Sequence, residues 1–254
     1  MMKIVKSALD GLGVYQPLRH RYKRLREISR NLATSESHKL RIRLVPENEL
    51  KAKLREAVSR LTRSDGAGQL GDYLEFGVYN GTSLSCMYEV ATELGIEQMR
   101  FFGFDSFQGL PRDAHKEDGG IWVRGQFSCG IETARAMLDE RGVDRKRVIL
   151  TKGFFVDTLN DRVVAAHGIT KASIVMIDCD MYSSARTALR FIENLIDKEA
   201  VVLFDDWTAG GLDQKNLGEK KAFIEFLDAH PEFSESDMGS YGMHSKVFHI
   251  VRQA

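Results

Sequence analysis

The chain has 254 residues, 43% hydrophobic and 28% charged, enough for one large α/β domain and short for two. Lysine plus arginine balance aspartate plus glutamate at 36 each, so no overall field draws the chain to nucleic acid or to an anionic membrane. Cys86, Cys129 and Cys179 are odd in number and lack C-x-x-C spacing, which argues against a disulfide framework or zinc knuckle and for a reducing cytoplasm.

The opening run MMKIVKSALDGLGVY is interrupted by Asp10 and glycines too early for a signal peptide. No stretch approaches the ~18 apolar residues expected of a membrane span. RHRYKRLREISR (19–30) is strongly basic, and ENELKAKLREAVSRLTR (47–63) carries apolar residues at helical spacing. Residues 1–65 are therefore expected to form a helical N-terminal extension, with SDGAGQLG (64–71) as the hinge to a domain over 66–254. The charged face of the extension is either solvated or a surface for a partner, a second copy of the chain included.

From residue 72, short apolar runs alternate with helical patterns. The runs are DYLEFGV (72–78), RFFGFDSF (100–107), KRVILTKG (146–153), ASIVMIDCD (172–180) and AVVLFDDW (200–207). Near-continuous apolar strands are buried on both faces, and strand–helix alternation implies right-handed crossovers and a parallel sheet. After a glycine loop, AGGLDQKNLG, come one amphipathic helix and two strand-like pieces, FSESDMGSY and SKVFHIVRQ. These suit an antiparallel pair at the sheet edge, for seven strands flanked by helices.

In an open parallel sheet, ligands sit at the carboxyl ends of the strands where strand order reverses. LEFGVYNGTS (74–83) places Glu75 at such an end, then Gly77 and Gly81, which let backbone approach a ligand, then Thr82 and Ser83 at a helix start. Tyr79 stands where a dinucleotide fingerprint needs its second glycine, and Glu75 would repel phosphate. A ligand with a positive centre and no phosphate fits better, as in S-adenosylmethionine. Asp105 ends the second run and is placed either for ribose hydroxyls or, with Ser106, to turn the chain.

IDCDMYSS ends the fourth run with Asp178 and Asp180, and LFDDWT ends the fifth with Asp205 and Asp206. If these strands are neighbours, at least three carboxylates crowd one edge, a conflict that a hard divalent cation such as Mg²⁺ or Ca²⁺ would relieve. The alternative is that the aspartates cap following helices or pair with lysine and arginine.

LEFGVYNGTS, FDSFQGLP, KGFFVDTL, IDCDMYSS and LFDDW, in this order, resemble the macrocin and mycinamicin O-methyltransferase family over about residues 70–207. These are class I enzymes with a Rossmann-like fold that use S-adenosylmethionine and Mg²⁺ to methylate sugar hydroxyls on macrolides. The resemblance implies that Glu75, Gly77, Gly81, Thr82 and Ser83 hold the methionine part of the cofactor, and that Asp105 and Ser106 bind the ribose. It puts Phe154 and Phe155 near the adenine, where the residues alone read as core aromatics. It makes Asp178, Asp205 and Asp206 the metal ligands, with Asp178 also touching the cofactor and serving in catalysis. The family is thought to carry a histidine base after the second strand. Here that loop, residues 108–130, holds only His115, with His244 in the tail as a second candidate. The same loop, with Gly119, Gly120 and Trp122, reads as a substrate lid in which Trp122 either stacks on a sugar or packs.

The expected protein is a cytoplasmic, Mg²⁺-assisted O-methyltransferase acting on a hydroxyl of a sugar, glycan or natural product. The alternatives are an NAD(P)-dependent oxidoreductase, against which Tyr79 argues, and a non-catalytic cofactor-binding or assembly module.

Overall fold

A computed structural model describes residues 45–65 and 70–253; the basic stretch 19–30 and the centre of the expected hinge lie outside these. The compact unit of the fold begins at Val45. Its first helix, α1 (Glu47–Asp65), buries Leu50, Leu54, Ala57, Val58 and Leu61, one apolar stripe at helical spacing. That stripe lies in one core cluster with Tyr73, Phe101, Ile174, Val201 and Val247 of the sheet. The helix expected in an extension is thus part of the domain core. It is further tied by Arg55 to Glu93 at 2.6 Å and by Glu47 to Arg141 at 3.0 Å.

Five strands follow the apolar runs: β1 (Asp72–Phe76), β2 (Phe101–Asp105), β3 (Val148–Lys152), β4 (Ala172–Ile177) and β5 (Glu199–Phe204). The last two, β6 (Phe233–Asp237) and β7 (Lys246–Arg252), complete one seven-stranded sheet of order β3-β2-β1-β4-β5-β7-β6. Neighbours among β1–β5 pair in parallel; β7 runs antiparallel to β5 and to β6. Every residue of β1, β4 and β5 is buried, which is why they read as near-continuous apolar runs.

Between the strands run α2 (Thr82–Glu93), α3 (Ile131–Glu140), α4 (Phe155–Thr158), α5 (Asp161–His167), α6 (Tyr182–Ile192) and α7 (Gly218–Ala229). The single helical pattern expected over VDTLNDRVVAAHG is broken in two at Asn160, whose side chain accepts the N–H groups of Arg162 and Val163 and so starts α5. On the sheet face opposite α1 a second cluster gathers Phe76, Phe104, Val175, Leu189, Val202 and Phe223.

The order reverses between β1 and β4, neighbours in register with Glu75 opposite Met176. A crevice is expected at their carboxyl ends. Gly77 makes that junction possible. Its φ is +95°, and a Cβ there would stand 1.6 Å from the Asp178 carbonyl oxygen. Only a bare backbone passes so close.

Candidate cofactor and metal site

The first half of the site is built by the loop after β1. Glu75 is fully buried, its carboxyl accepting the Tyr73 hydroxyl at 2.5 Å and the Ser83 hydroxyl at 2.9 Å. Burial pushes its pKa up to about 8, against the opposing pull of those two donors, while nearby Asp105 adds to the rise. Asp105 faces it from the end of β2. One of its oxygens accepts the N–H groups of Val78 and Tyr79, both at 2.8 Å, and the other that of Phe107 at 2.6 Å. The two acidic strand ends therefore hold the glycine loop between them, Glu75 through the start of α2 and Asp105 through the loop backbone.

The hydroxyls in this region are engaged within the protein. Thr82 donates to Asn80 at 2.8 Å, and Ser106 donates to the Gly109 carbonyl while accepting the Gln108 N–H, which makes the turn that Asp105–Ser106 suggested. The Gly153 N–H bonds the Asp105 carbonyl at 2.9 Å, bringing the next residue, Phe154, beside this strand end, where it is half-buried. Phe155 packs edge-on against Phe76, ring centres 5.9 Å apart, among core aromatics. Cys129, which sequence reasoning passed over, is buried close to Asp105; burial first, then Asp105, pushes its thiol up to about 11.

The second half lies where β4 and β5 end. The Asp178 N–H bonds the Phe76 carbonyl at 2.9 Å and the Asp205 N–H bonds the Ile177 carbonyl at 3.0 Å, so the sheet ladder itself carries these residues to one edge. Asp178, Asp205 and Asp206 are half-buried, and each offers a carboxylate oxygen within 4.8 Å of the others. Buried Asp180 and fully buried Glu219 stand close by; Glu219 accepts the Asp206 N–H at 3.0 Å, and its other oxygen has no hydrogen-bond partner. Burial and mutual repulsion raise the whole set: Asp178, Asp180 and Glu219 well above the carboxylate range, and Asp206 to about 7.

Neither structural alternative accounts for this crowding. Among the described residues no lysine or arginine forms an ion pair with any of these carboxylates. The helices that follow are capped from elsewhere. Asp118, in the loop after β2, accepts the N–H groups of Tyr182 and Gly218, both at 2.9 Å, and Glu117 accepts that of Ser183 at 3.0 Å. Half-buried carboxylate oxygens close together and with no lysine or arginine partner among the described residues fit a hard, oxygen-ligated divalent ion.

The same loop settles two sequence questions. Trp122 is buried, donates to Asp118 at 3.3 Å, and packs with Ala114, Met181, Ala209 and Leu212, so it serves packing. His115 is exposed on a single 3₁₀ turn, Ala114–Lys116. The histidine near the cluster is His244, which lies close to Asp205 and whose Nδ1 stands 3.1 Å from the Thr208 hydroxyl. Its position between β6 and β7 had no local signature.

With this geometry in view, the family model for macrocin O-methyltransferases matches residues 20–218. The chain belongs to the macrocin O-methyltransferase family. A curated relative from Streptomyces olivaceus, 8-demethyl-8-(2,3-dimethoxy-alpha-L-rhamnosyl)-tetracenomycin-C 4'-O-methyltransferase, is 27% identical over 146 residues, 55% of this chain and 54% of its own. The chain thus spans about half the length of the curated relative it matches. Among solved structures, the O-methyltransferase NovP superposes with a TM-score of 0.63 over 81% of this chain and 80% of its own, at 17% identity. A Bacillus cereus O-methyltransferase, solved in complex with SAH, superposes at 0.56 over 88% and 90%, at 16% identity. Both share the fold, that of class I methyltransferases. Family membership speaks against the nicotinamide oxidoreductase reading.

Proposed function

We propose that this protein is an S-adenosylmethionine-dependent, Mg²⁺-assisted O-methyltransferase acting on a hydroxyl of a sugar, glycan or other natural product. The observation that carries this is the contact of Gly77 with Asp178: the glycine loop and the acidic cluster share one backbone junction, at the point where strand order reverses. S-adenosylmethionine, when bound, supplies a methyl group on a sulfonium, ready for direct displacement. A Mg²⁺ ion, when bound, lowers the pKa of an acceptor hydroxyl and fixes its oxygen.

The chain's own residues do the rest. Gly77 and Gly81 admit the cofactor to the backbone, and Thr82 and Ser83 begin the helix that points its N–H groups there. Glu75 and Asp105 set the loop's shape, and a cationic ligand beside them would favour their ionised forms. Phe154 is the aromatic free to flank the adenine, with Phe155 behind it in the core. Asp178, Asp205 and Asp206 form the metal set, Asp178 standing between the two halves. Asp178 and a histidine are the groups available to take the acceptor proton; both histidines considered are exposed, and nearness to Asp205 favours His244 over His115.

Support for a sugar acceptor comes from the Streptomyces relative, whose name describes 4'-O-methylation of a rhamnosyl-bearing tetracenomycin. The three buried, free cysteines suit a reducing cytoplasm. Titration calorimetry with S-adenosylhomocysteine and with NAD⁺ tests the cofactor directly. The reading requires binding of the first alone. Binding of NAD⁺ but not S-adenosylhomocysteine would overturn it.

A further inference from the structure

The loop between β6 and β7 reaches back to the acidic cluster. The Ser245 hydroxyl accepts the N–H groups of Tyr241 and Gly242 at 2.9 and 2.8 Å, closing a tight turn. The Thr208 N–H donates to the His244 carbonyl at 3.0 Å, which binds this turn to the segment after β5. Tyr241 is only 4% exposed, its ring in the core cluster with Met176, Leu203 and Val247. From that seat its hydroxyl donates to Asp205 Oδ1 at 2.5 Å.

We infer that Tyr241 is a positioning residue that fixes the orientation of the Asp205 carboxylate for a divalent cation. The inference rests on the metal reading above and adds to it the residue that shapes the site. A lone carboxylate in a like-charged cluster swings away from its neighbours; one oxygen tethered by a rigid donor cannot, and its second oxygen is left for the ion. A phenol holds its proton at neutral pH and so donates steadily. The core packing of the ring makes the donor rigid. Outer partners of this kind typically change metal affinity ~10–100-fold when removed.

The test uses the full-length protein, Mn²⁺ alone as probe, and electron paramagnetic resonance to count free Mn²⁺. Tyr241→Phe keeps the ring and its packing and deletes one oxygen. The expected result is Mn²⁺ affinity weaker by about 10-fold or more, with S-adenosylhomocysteine affinity within about twofold of wild type. A purely structural role for Tyr241 would leave Mn²⁺ affinity unmoved. Wild type and variant binding Mn²⁺ equally well overturns this inference alone. A wild-type protein that takes up no Mn²⁺ overturns the metal reading and this inference with it.

Discussion

The Asp118 carboxylate accepts the backbone N–H of Gly218, 100 residues away in sequence, while its other oxygen caps Tyr182. One side chain in the loop after β2 thereby starts both helices that follow the acidic strand ends. It frees Asp178, Asp180, Asp205 and Asp206 from that duty. Asp118→Ala removes two caps and the Trp122 partner together, and should lower stability by about 1–3 kcal/mol. Asp118→Asn, which keeps one acceptor oxygen, should lose less. Urea denaturation of the metal-free protein checks both; equal stability of all three proteins would show that the caps carry no weight.

Gly77→Ala meets both a left-handed φ and the Asp178 carbonyl. The backbone has to move, and with it the two halves of the site. Expected is a loss of S-adenosylhomocysteine affinity together with a loss of Mn²⁺ affinity, each by more than an order of magnitude, with the far-ultraviolet circular dichroism retained. A variant that loses one ligand and keeps the other would separate what the structure joins.

Glu75 gives a pH dependence. Its native pKa of about 8 lies above the ordinary 4.5, so the folded, ligand-free protein holds a proton that the unfolded chain releases. Its contribution to stability is complete below about pH 4.5 and is lost as pH rises through about 8. Glu75→Gln cannot lose that proton. The stability difference between variant and wild type should therefore shift toward the variant by on the order of a few kcal/mol between acid and alkaline buffer. Denaturation curves at pH 5.5 and ~8.5, without metal or cofactor, measure it. A pH-independent difference would mean that Glu75 is already ionised in the fold.

Asp206→Asn should act in opposite directions with and without metal. Burial and Asp205 raise this carboxyl to about 7, a sign of unrelieved crowding. Removing the charge should raise the melting temperature of metal-free protein and abolish the further rise that Mg²⁺ gives the wild type. Calorimetric scans with chelator and with Mg²⁺ make the comparison. A variant destabilised in chelator and still stabilised by Mg²⁺ would exclude Asp206 from the ligand set.

The acidic strand ends were legible because their signal is local. A carboxylate at the end of an apolar run marks the carboxyl end of a buried strand, and Glu75, Asp105, Asp178, Asp205 and Asp206 all announce themselves so. The parallel sense of the sheet and its antiparallel edge followed from the same alternation, whereas the strand order is a tertiary fact. What stayed hidden depends on distant contacts. Tyr241 reaches Asp205 from 36 residues away, and Asp118 reaches Gly218 from 100. Neither has a spacing that sequence can show. The helix Glu47–Asp65 was legible as a helix, but which surface its apolar stripe covers is a tertiary fact, and it proved to be the sheet core. His115 drew notice only by lying in the expected loop, whereas His244 comes near Asp205 through a turn fixed by Ser245.

The account turns on a hard cation held beside the glycine loop. A crystal of the full chain grown with Mn²⁺ and S-adenosylhomocysteine, read by anomalous scattering at the manganese edge, tests this most directly. The account predicts one strong peak bounded by Asp178, Asp205 and Asp206, with the homocysteine sulfur next to it and the Tyr241 hydroxyl still on Asp205. Absence of any peak there, or a ligand seated away from Gly77, would contradict it.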